Sequence, residues 1–388
     1  MTPTTHIALL HAYSARNSGD GLLVDLSVRL LRDAFGDAIR ISIVAADPAS
    51  FPAYDDVGPA PVLADRGASR VTSAARFVLP VHANGRLHDL RRLLERVDLI
   101  VGVGGGYLRA RNCHEALKLE AGHLLQMRAA KASGKPAVYL PQSIGPARPA
   151  WPVGTHLRRL LASFDTVFVR DDRSSAFLSA NANTRRAPDL AVLDFERRSD
   201  TILQRAARAG DGDGDGVRHI AFVLRRPPAW NRLQCARYAA SVARLIERVR
   251  PHCRISFAVQ SACRGNDDTA YYRDIGIQDA LVPLKTLLAH DVPDWVVSVR
   301  LHGALESVLQ GVPAFHVSYE RKGFGAYADL HLDEWVVNGA AFDPDAVADK
   351  ILADGSATAF WQSARTGLDR IRTAREHVVD ALRAARYA

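Results

Sequence analysis

Apolar runs and helix-spaced apolar segments alternate along this chain in a fixed order. Residues 7–10, 39–45, 97–103, 136–140 and 166–169 are short, largely apolar runs, the signature of strands covered on both faces. Between them, residues 22–35, 82–95, 113–132 and 156–163 carry apolar positions at helical spacing. The same grammar restarts further on. Runs at 219–224, 255–259, 296–299 and 314–319 read as strands, and 233–249, 267–275, 284–290, 304–309 and 347–352 read as helices. Strand, loop and helix repeated in this way predict parallel, doubly wound sheets. Residues 360–386 close the chain as one long amphipathic helical pattern studded with arginine.

Two stretches break the pattern. Residues 47–68, rich in Pro, Asp and Gly, read as a long loop. Residues 197–217 contain the alternation Gly210-Asp211-Gly212-Asp213-Gly214-Asp215-Gly216, which matches the opening of a calcium loop. The twelfth position of such a loop is Phe222, where a bidentate carboxylate is required, so a flexible linker is the better reading. A chain of 388 residues exceeds one ordinary core, and about 150–200 residues per domain is the expectation. The division that follows is an N-terminal α/β domain over 1–196, a linker over 197–217, a C-terminal α/β domain over 218–358 and a helix over 359–388. Two such domains are expected to face a cleft, a common place for a ligand.

Composition narrows the class. With 48% hydrophobic and 24% charged residues the chain reads as globular and soluble. No apolar run approaches the roughly 18–20 residues of a membrane span. The start lacks a basic n-region and a cleavage site. Cys113, Cys235, Cys253 and Cys263 show no CxxC spacing, which suits a reducing cytoplasm and argues against a zinc cluster. The net charge of +8 suits an anionic substrate or membrane surface. However, only six of the 50 basic residues are lysine, and arginine this dominant reflects base composition as readily as function. No basic patch is interleaved with aromatics, so nucleic acid is not an expected partner.

Candidate chemistry lies at strand ends, where open parallel sheets collect ligands. The run 296–299 stops at Arg300-Leu301-His302-Gly303, a helix pattern follows, and Gly311 and Pro313 end it before the next strand and Lys322. A fixed cation, a titratable imidazole and a helix N-terminus together suit an anion on which proton chemistry is done. Asn17, Gly19 and Asp20 follow the first strand, and either Ser18 or Asp20 also suits as a cap of the next helix. Gly104, Gly105 and Gly106 follow another strand. They match neither a dinucleotide fingerprint, since position 107 is Tyr, nor a P-loop. Gln142 and Ser143, Arg170 with Asp171 and Ser174, and Arg225 stand at further strand ends.

In order and spacing these residues resemble the polysaccharide pyruvyl transferase family. The resemblance rests on Asn17-x-Gly19-Asp20, the glycine cluster, Gln142 to Pro146, Arg170-Asp171, Pro188-Asp189-Leu190, Arg300-Leu301-His302 and Tyr319-x-x-Lys322, and covers roughly residues 7–327. It implies a two-domain fold similar to GT-B glycosyltransferases. It also implies phosphoenolpyruvate as donor substrate, no separate cofactor, and a pair of sugar hydroxyls as acceptor. The product would be a pyruvate ketal, with phosphate released. The family's donor-binding Arg-Leu-His motif maps onto Arg300, Leu301 and His302. Acceptors of the family include lipid-linked and cell-wall glycans, which would give the basic last helix a use at the inner face of a membrane.

On this basis Arg300, Arg170, Arg225 and Lys322 are candidates for the donor's carboxylate and phosphate. His302 is the candidate general acid, and Asp20 the group that orients or deprotonates an acceptor hydroxyl, with Asn17 holding its loop. The scheme requires no metal. Two rivals remain open: a sugar-nucleotide-dependent glycosyltransferase of the same fold, and a glycan-binding module without activity.

Overall fold

The computed structural model describes residues 4–61, 85–148, 150–210, 216–228, 230–263 and 266–387. The chain groups into two compact units. The first comprises Met1–Ala15, Leu23–Leu190 and Ala374–Ala388, and the second Arg16–Leu22 and Ala191–Thr373.

The first unit is built on seven parallel strands: β1 Thr5–Ala12, β2 Ile39–Ala45, β3 Val57–Pro59, β4 Leu99–Gly102, β5 Ala137–Gln142, β6 Thr166–Val169 and β7 Thr184–Arg186. Their order is β3-β2-β1-β4-β5-β6-β7, so the topology reverses between β1 and β4. Every residue of β4, β5 and β6 is buried, which is why these strands read as apolar runs without alternation. Helices cover the sheet, among them Gly85–Arg96, which buries Leu87, Leu90 and Leu94 on one stripe.

The second unit repeats the plan with β8 His219–Val223, β9 Arg254–Val259, a ribbon of β10 Ala262–Cys263 and β11 Asn266–Asp267, β12 Leu281–Pro283, β13 Trp295–Ser298, β14 Ala314–Ser318 and β15 Val336–Asn338. The six-stranded parallel sheet runs β12-β9-β8-β13-β14-β15 and reverses between β8 and β13. The helix Arg232–Val249 starts at a reciprocal cap between Asn231 and Gln234 and buries Tyr238, Val242, Leu245, Ile246 and Val249. Trp295, Trp335 and Phe360 pack edge and face beneath the sheet.

Several expectations shift. Much of the expected linker is the helix Ser199–Gly210, which buries Ile202 and Ala206 on one face, while residues 211–215 lie outside the described ones. Within the expected long loop, Val57–Pro59 is a strand beside β2, and residues 62–84 are not described. The helical pattern at 113–132 contains a π-helical turn, Leu119–His123, between Cys113–Lys118 and Leu124–Ser133. The closing pattern is two helices, Ser356–Thr366 and Leu368–Tyr387, interrupted at Gly367. From Ala374 onward it groups with the first unit, where Arg383 Nε donates to the Ala34 carbonyl at 2.8 Å.

Candidate active site

In the second unit the carboxyl edge of the sheet gathers seven of the expected residues. β13 ends at Ser298, whose hydroxyl donates to the Arg300 carbonyl at 2.7 Å and accepts from the Arg300 N–H at 3.2 Å. That clasp turns the chain from strand into the helix Leu301–Leu309, with Arg300 at the N-cap in extended conformation. His302 therefore stands in the first turn, at the positive end of the helix. Leu301 is buried, so its side chain packs and only its backbone is left for a ligand.

The segment Arg16–Leu22, expected as a loop, instead opens the helix Ser18–Phe35, whose start lies four residues before the apolar pattern, and it reaches this edge through its backbone. Ser18 N–H donates to the Gln260 carbonyl at 3.0 Å, and the Ser18 hydroxyl donates to buried Glu306 at 3.3 Å. Gly19 lies directly on His302: a Cβ there would stand 3.0 Å from His302 Cβ and 3.3 Å from its Nδ1. Asn17 Nδ2 donates to Asp20 Oδ2 at 2.8 Å. Burial pushes the Asp20 carboxyl above its ordinary value, and the Asn17 bond and the charges of His302, Lys322 and Arg300 pull it back. The result is a carboxylate more basic than usual, facing three groups that carry or accept protons.

Lys322 is the second residue of the helix Arg321–Asp329, and its Nζ stands 3.0 Å from Glu320 Oε2. Its neighbour Gly323 is crowded: a Cβ there would come 2.1 Å from Ser318 Oγ and 2.3 Å from His316 Nε2. His316, whose Nδ1 is 2.8 Å from the Ser298 carbonyl, is pushed down to about 4 by burial and stays neutral.

Arg300 is itself buried and ion-paired with Asp268, which takes its Nε at 2.9 Å and its Nη2. Asp268 is fully buried, and its other oxygen accepts from the N–H groups of Gln260 and Ser261 at 3.1 and 3.0 Å. The guanidinium is thus fixed in direction before any ligand arrives. Arg300 and Arg225 both line a pocket of about 760 Å³ with Trp230, Arg232 and Tyr271. Arg225 sits 5.6 Å over the Tyr319 ring and 3.4 Å from its hydroxyl. A second cavity of about 540 Å³, by Arg218, Trp295 and Trp361, lies at the amino ends of the strands and contains none of the expected residues. Among the described residues no cluster of three His, Cys, Asp or Glu side chains suits a metal ion.

The remaining expected residues belong to the first unit. Arg170 is buried and ion-paired with buried Asp189, and its Nε donates to Ser143 Oγ at 3.0 Å. Asp171 caps the helix Asp172–Phe177 by accepting from Ser174 N–H at 2.8 Å. The glycines divide in role. A Cβ on Gly104 would press on Leu190 at 2.7 Å and on the Pro141 carbonyl at 2.9 Å, so this position is a packing requirement. Gly105 is held by Ser143 N–H, which donates to its carbonyl at 2.8 Å. Gly106 faces the Arg170 guanidinium and Ser143 with no such crowding, and the Gln142 side chain is buried next to them in sequence.

A model of the family described as polysaccharide pyruvyl transferase matches residues 17–321. The chain belongs to the polysaccharide pyruvyl transferase family. No curated protein matches it in sequence. Solved structures match across the whole chain at low identity. UDP-GlcNAc 2-epimerase from Neisseria meningitidis, bound to UDP-GlcNAc, is 11% identical with a TM-score of 0.54, over 97% of this chain and 99% of that one. Alr3699/HepE of Anabaena, in complex with UDP and glucose, is 10% identical at 0.51, over 97% and 98%. UGT73P12 of Glycyrrhiza uralensis, complexed with glycyrrhetinic acid 3-O-monoglucuronide, is 10% identical at 0.52, over 99% and 97%. At such identity the likeness is one of fold: two parallel-sheet α/β units of GT-B type with a helical C-terminus. No described helix is long and apolar enough to cross a membrane.

No local pattern marks Asp268 or Glu306. Each reads as an ordinary polar residue of a helix, and only the fold brings Asp268 to Arg300, 32 positions away.

Proposed function

We propose that this chain transfers the pyruvyl unit of phosphoenolpyruvate to two hydroxyls of a glycan, forming a pyruvate ketal and releasing phosphate. The observation that carries the proposal is the grouping of basic Asp20 with His302, Lys322 and Arg300 in a member of this family. The donor carries a carboxylate and a phosphate, and Arg300, Lys322 and Arg225 are the cations set for them. The donor's methylene carbon takes a proton from His302, leaving a cationic C2. One sugar hydroxyl adds to C2 and gives its proton to Asp20. Phosphate departs towards Lys322, and the second hydroxyl closes the ring. Of the two hydroxyl protons, one replaces that spent on the methyl group and the other leaves on phosphate, so the balance closes.

The test is calorimetry with phosphoenolpyruvate on the wild type and on His302→Gln, followed by phosphate release with a glycan acceptor. The variant should bind the donor within about threefold, yet lose roughly 10²–10⁴ in turnover, the usual worth of a general acid. Unchanged turnover would remove His302 from the acid role.

A second reading follows from the pocket of about 760 Å³ with its arginines and Trp230, since it has room for more than a ten-atom donor. In that reading the chain uses a nucleotide sugar, as a glycosyltransferase of this fold would. Binding of UDP-glucose without binding of phosphoenolpyruvate would decide for it.

A further inference from the structure

A buried amide in the second unit stands at the candidate site with no bond made. Gln260 directly follows β9 at the carboxyl edge of the sheet. It is 5% exposed, and its Nε2 has no hydrogen-bond partner among the described residues. The carboxamide nitrogen carries two N–H donors, and burying them unmade costs folding free energy. A group left in this state inside a native fold calls for a reason, and readiness for a ligand is one.

The surroundings fix where this amide stands. The Gln260 N–H donates to Asp268 Oδ2 at 3.1 Å, and the Gln260 carbonyl accepts from Ser18 N–H at 3.0 Å. Asn17 and Ser261 pair in a short antiparallel bridge alongside. The side chain itself runs between two glycines. A Cβ on Gly303 would stand 3.2 Å from Gln260 Oε1. A Cβ on Gly19 would stand 3.5 Å from Gln260 Nε2 and 3.3 Å from His302 Nδ1. Position 19 thus leaves a recess that the unmade amide and the His302 ring both border. Glycine at such a place lets a ligand come close to the backbone.

Charge decides which ligand group fits the recess. Arg300 is paired with Asp268, and Lys322 with Glu320. Asp20, the residue after Gly19, takes the Asn17 amide at 2.8 Å. Asp268 serves Arg300 with one oxygen and the Gln260 main chain with the other, so guanidinium and carboxamide are both placed by one buried carboxylate. A neutral amide beside a matched ion pair adds no charge. It suits an oxygen of a singly charged group better than a phosphate carrying nearly two charges, which calls for further cations. On the donor proposed above, the singly charged group is the carboxylate.

We propose that Gln260 is a specificity-determining contact, whose carboxamide donates an N–H to one carboxylate oxygen of the donor in the recess at Gly19, beside His302. The inference rests on the pyruvyl transfer proposed above for the identity of the donor, and on the unmade amide for the rest. Such a contact separates an enol phosphate that carries a carboxylate from phosphate compounds that lack one. A cation at the same position would draw both.

The experiment compares the full chain with Gln260→Met, which keeps the length of the side chain and removes both donors. Urea unfolding should show a midpoint unchanged or raised, because the variant buries no unmade bond. A lowered midpoint means that the amide has a structural partner, and overturns the inference. Calorimetry with phosphoenolpyruvate, pyruvate and inorganic phosphate reads the contact itself. Phosphoenolpyruvate and pyruvate should bind the variant roughly tenfold to a hundredfold more weakly, the worth of a hydrogen bond to a charged group, and phosphate as it binds the wild type. Weakening of all three alike, of phosphate alone, or of none overturns the carboxylate contact. Gly19→Ala should weaken the same two ligands by filling the recess. If the wild type does not bind phosphoenolpyruvate, the pyruvyl transfer reading fails. Pyruvate then decides on Gln260 by itself, and a wild type silent to pyruvate as well overturns the contact.

Discussion

Replacing Arg300 by methionine keeps the aliphatic stem and removes the charge opposite Asp268. Asp268 has four hydrogen bonds, two from Arg300 and two from the backbone of Gln260 and Ser261, and no accessible surface. The variant leaves a buried carboxylate with half its donors and without the guanidinium beside it. Breaking a buried pair from one side costs about 3–5 kcal/mol, a large share of the roughly 5–15 kcal/mol that a domain possesses. Burial already raises the Asp268 carboxyl against the pull of Arg300, so without the guanidinium it rises further. A folded carboxyl raised above its unfolded value binds protons that the unfolded chain does not. Stability contributed in this way grows as pH falls towards the unfolded value near 4 and is lost as pH rises. Urea unfolding followed by tryptophan fluorescence reads the effect, because Trp230, Trp295, Trp335 and Trp361, four of the five tryptophans, belong to the second unit. Arg300→Met and Asp268→Asn should each lose several kcal/mol at pH 7, and the double variant less than their sum. A loss below about 1 kcal/mol in Arg300→Met, or strict additivity, would refute the buried pair. For donor binding, Arg300→Lys is then the more readable substitution, since it keeps the charge and removes the fork.

Three further outcomes are expected. His123 and His316 fall from 6.5 to about 4 on folding, so the unfolded chain takes up protons below pH 6.5 that the folded one refuses. Stability should drop between pH 6.5 and 4 by up to roughly 3 kcal/mol for each, and a flat profile of unfolding free energy over that range would contradict their burial. Gly323→Ala forces a methyl group onto Ser318 and His316 and should cost about 1–3 kcal/mol, together with donor affinity through displaced Lys322; a neutral substitution would mean the helix start is looser than described. Asn17→Ala removes a bond that lowers the Asp20 carboxyl, so the acidic limb of the pH–rate profile should move to higher pH, and a limb that stays in place would separate Asp20 from proton acceptance.

Much of the frame was legible because parallel strands buried on both faces must be continuously apolar. β4, β6, β8 and β13 stand where their runs predicted, within a few residues. The three-residue strands Val57–Pro59, Thr184–Arg186, Leu281–Pro283 and Val336–Asn338 escaped notice, since strands that short carry no periodicity and exist through pairing. Position at a strand end was enough to bring forward Arg300, His302, Lys322 and Asp20. It could not show that Arg300 would be half of an ion pair, because Asp268 follows Asp267, and Asp267 is the residue that caps their helix. His11 falls just past the apolar run 7–10. Its ring is given meaning by His123 and Tyr139, 112 and 128 positions away, and no local pattern encodes such a meeting.

The chain visits the second unit twice, first for the seven residues Arg16–Leu22 and then from Ala191 to Thr373, and it ends in the first. No single cut therefore separates two self-sufficient genes' worth of protein. A fragment beginning at Ala191 would hold His302, Lys322 and Arg300 but lack Asp20, and would also carry away the last helix that the other fragment needs. Exchange of whole halves between relatives, a convenient route to new specificity in modular enzymes, would have to transplant two pieces at once for the second unit and three for the first. Inheritance of this site is thus tied to a stretch from Asn17 to Lys322 that takes most of the first unit's sheet with it.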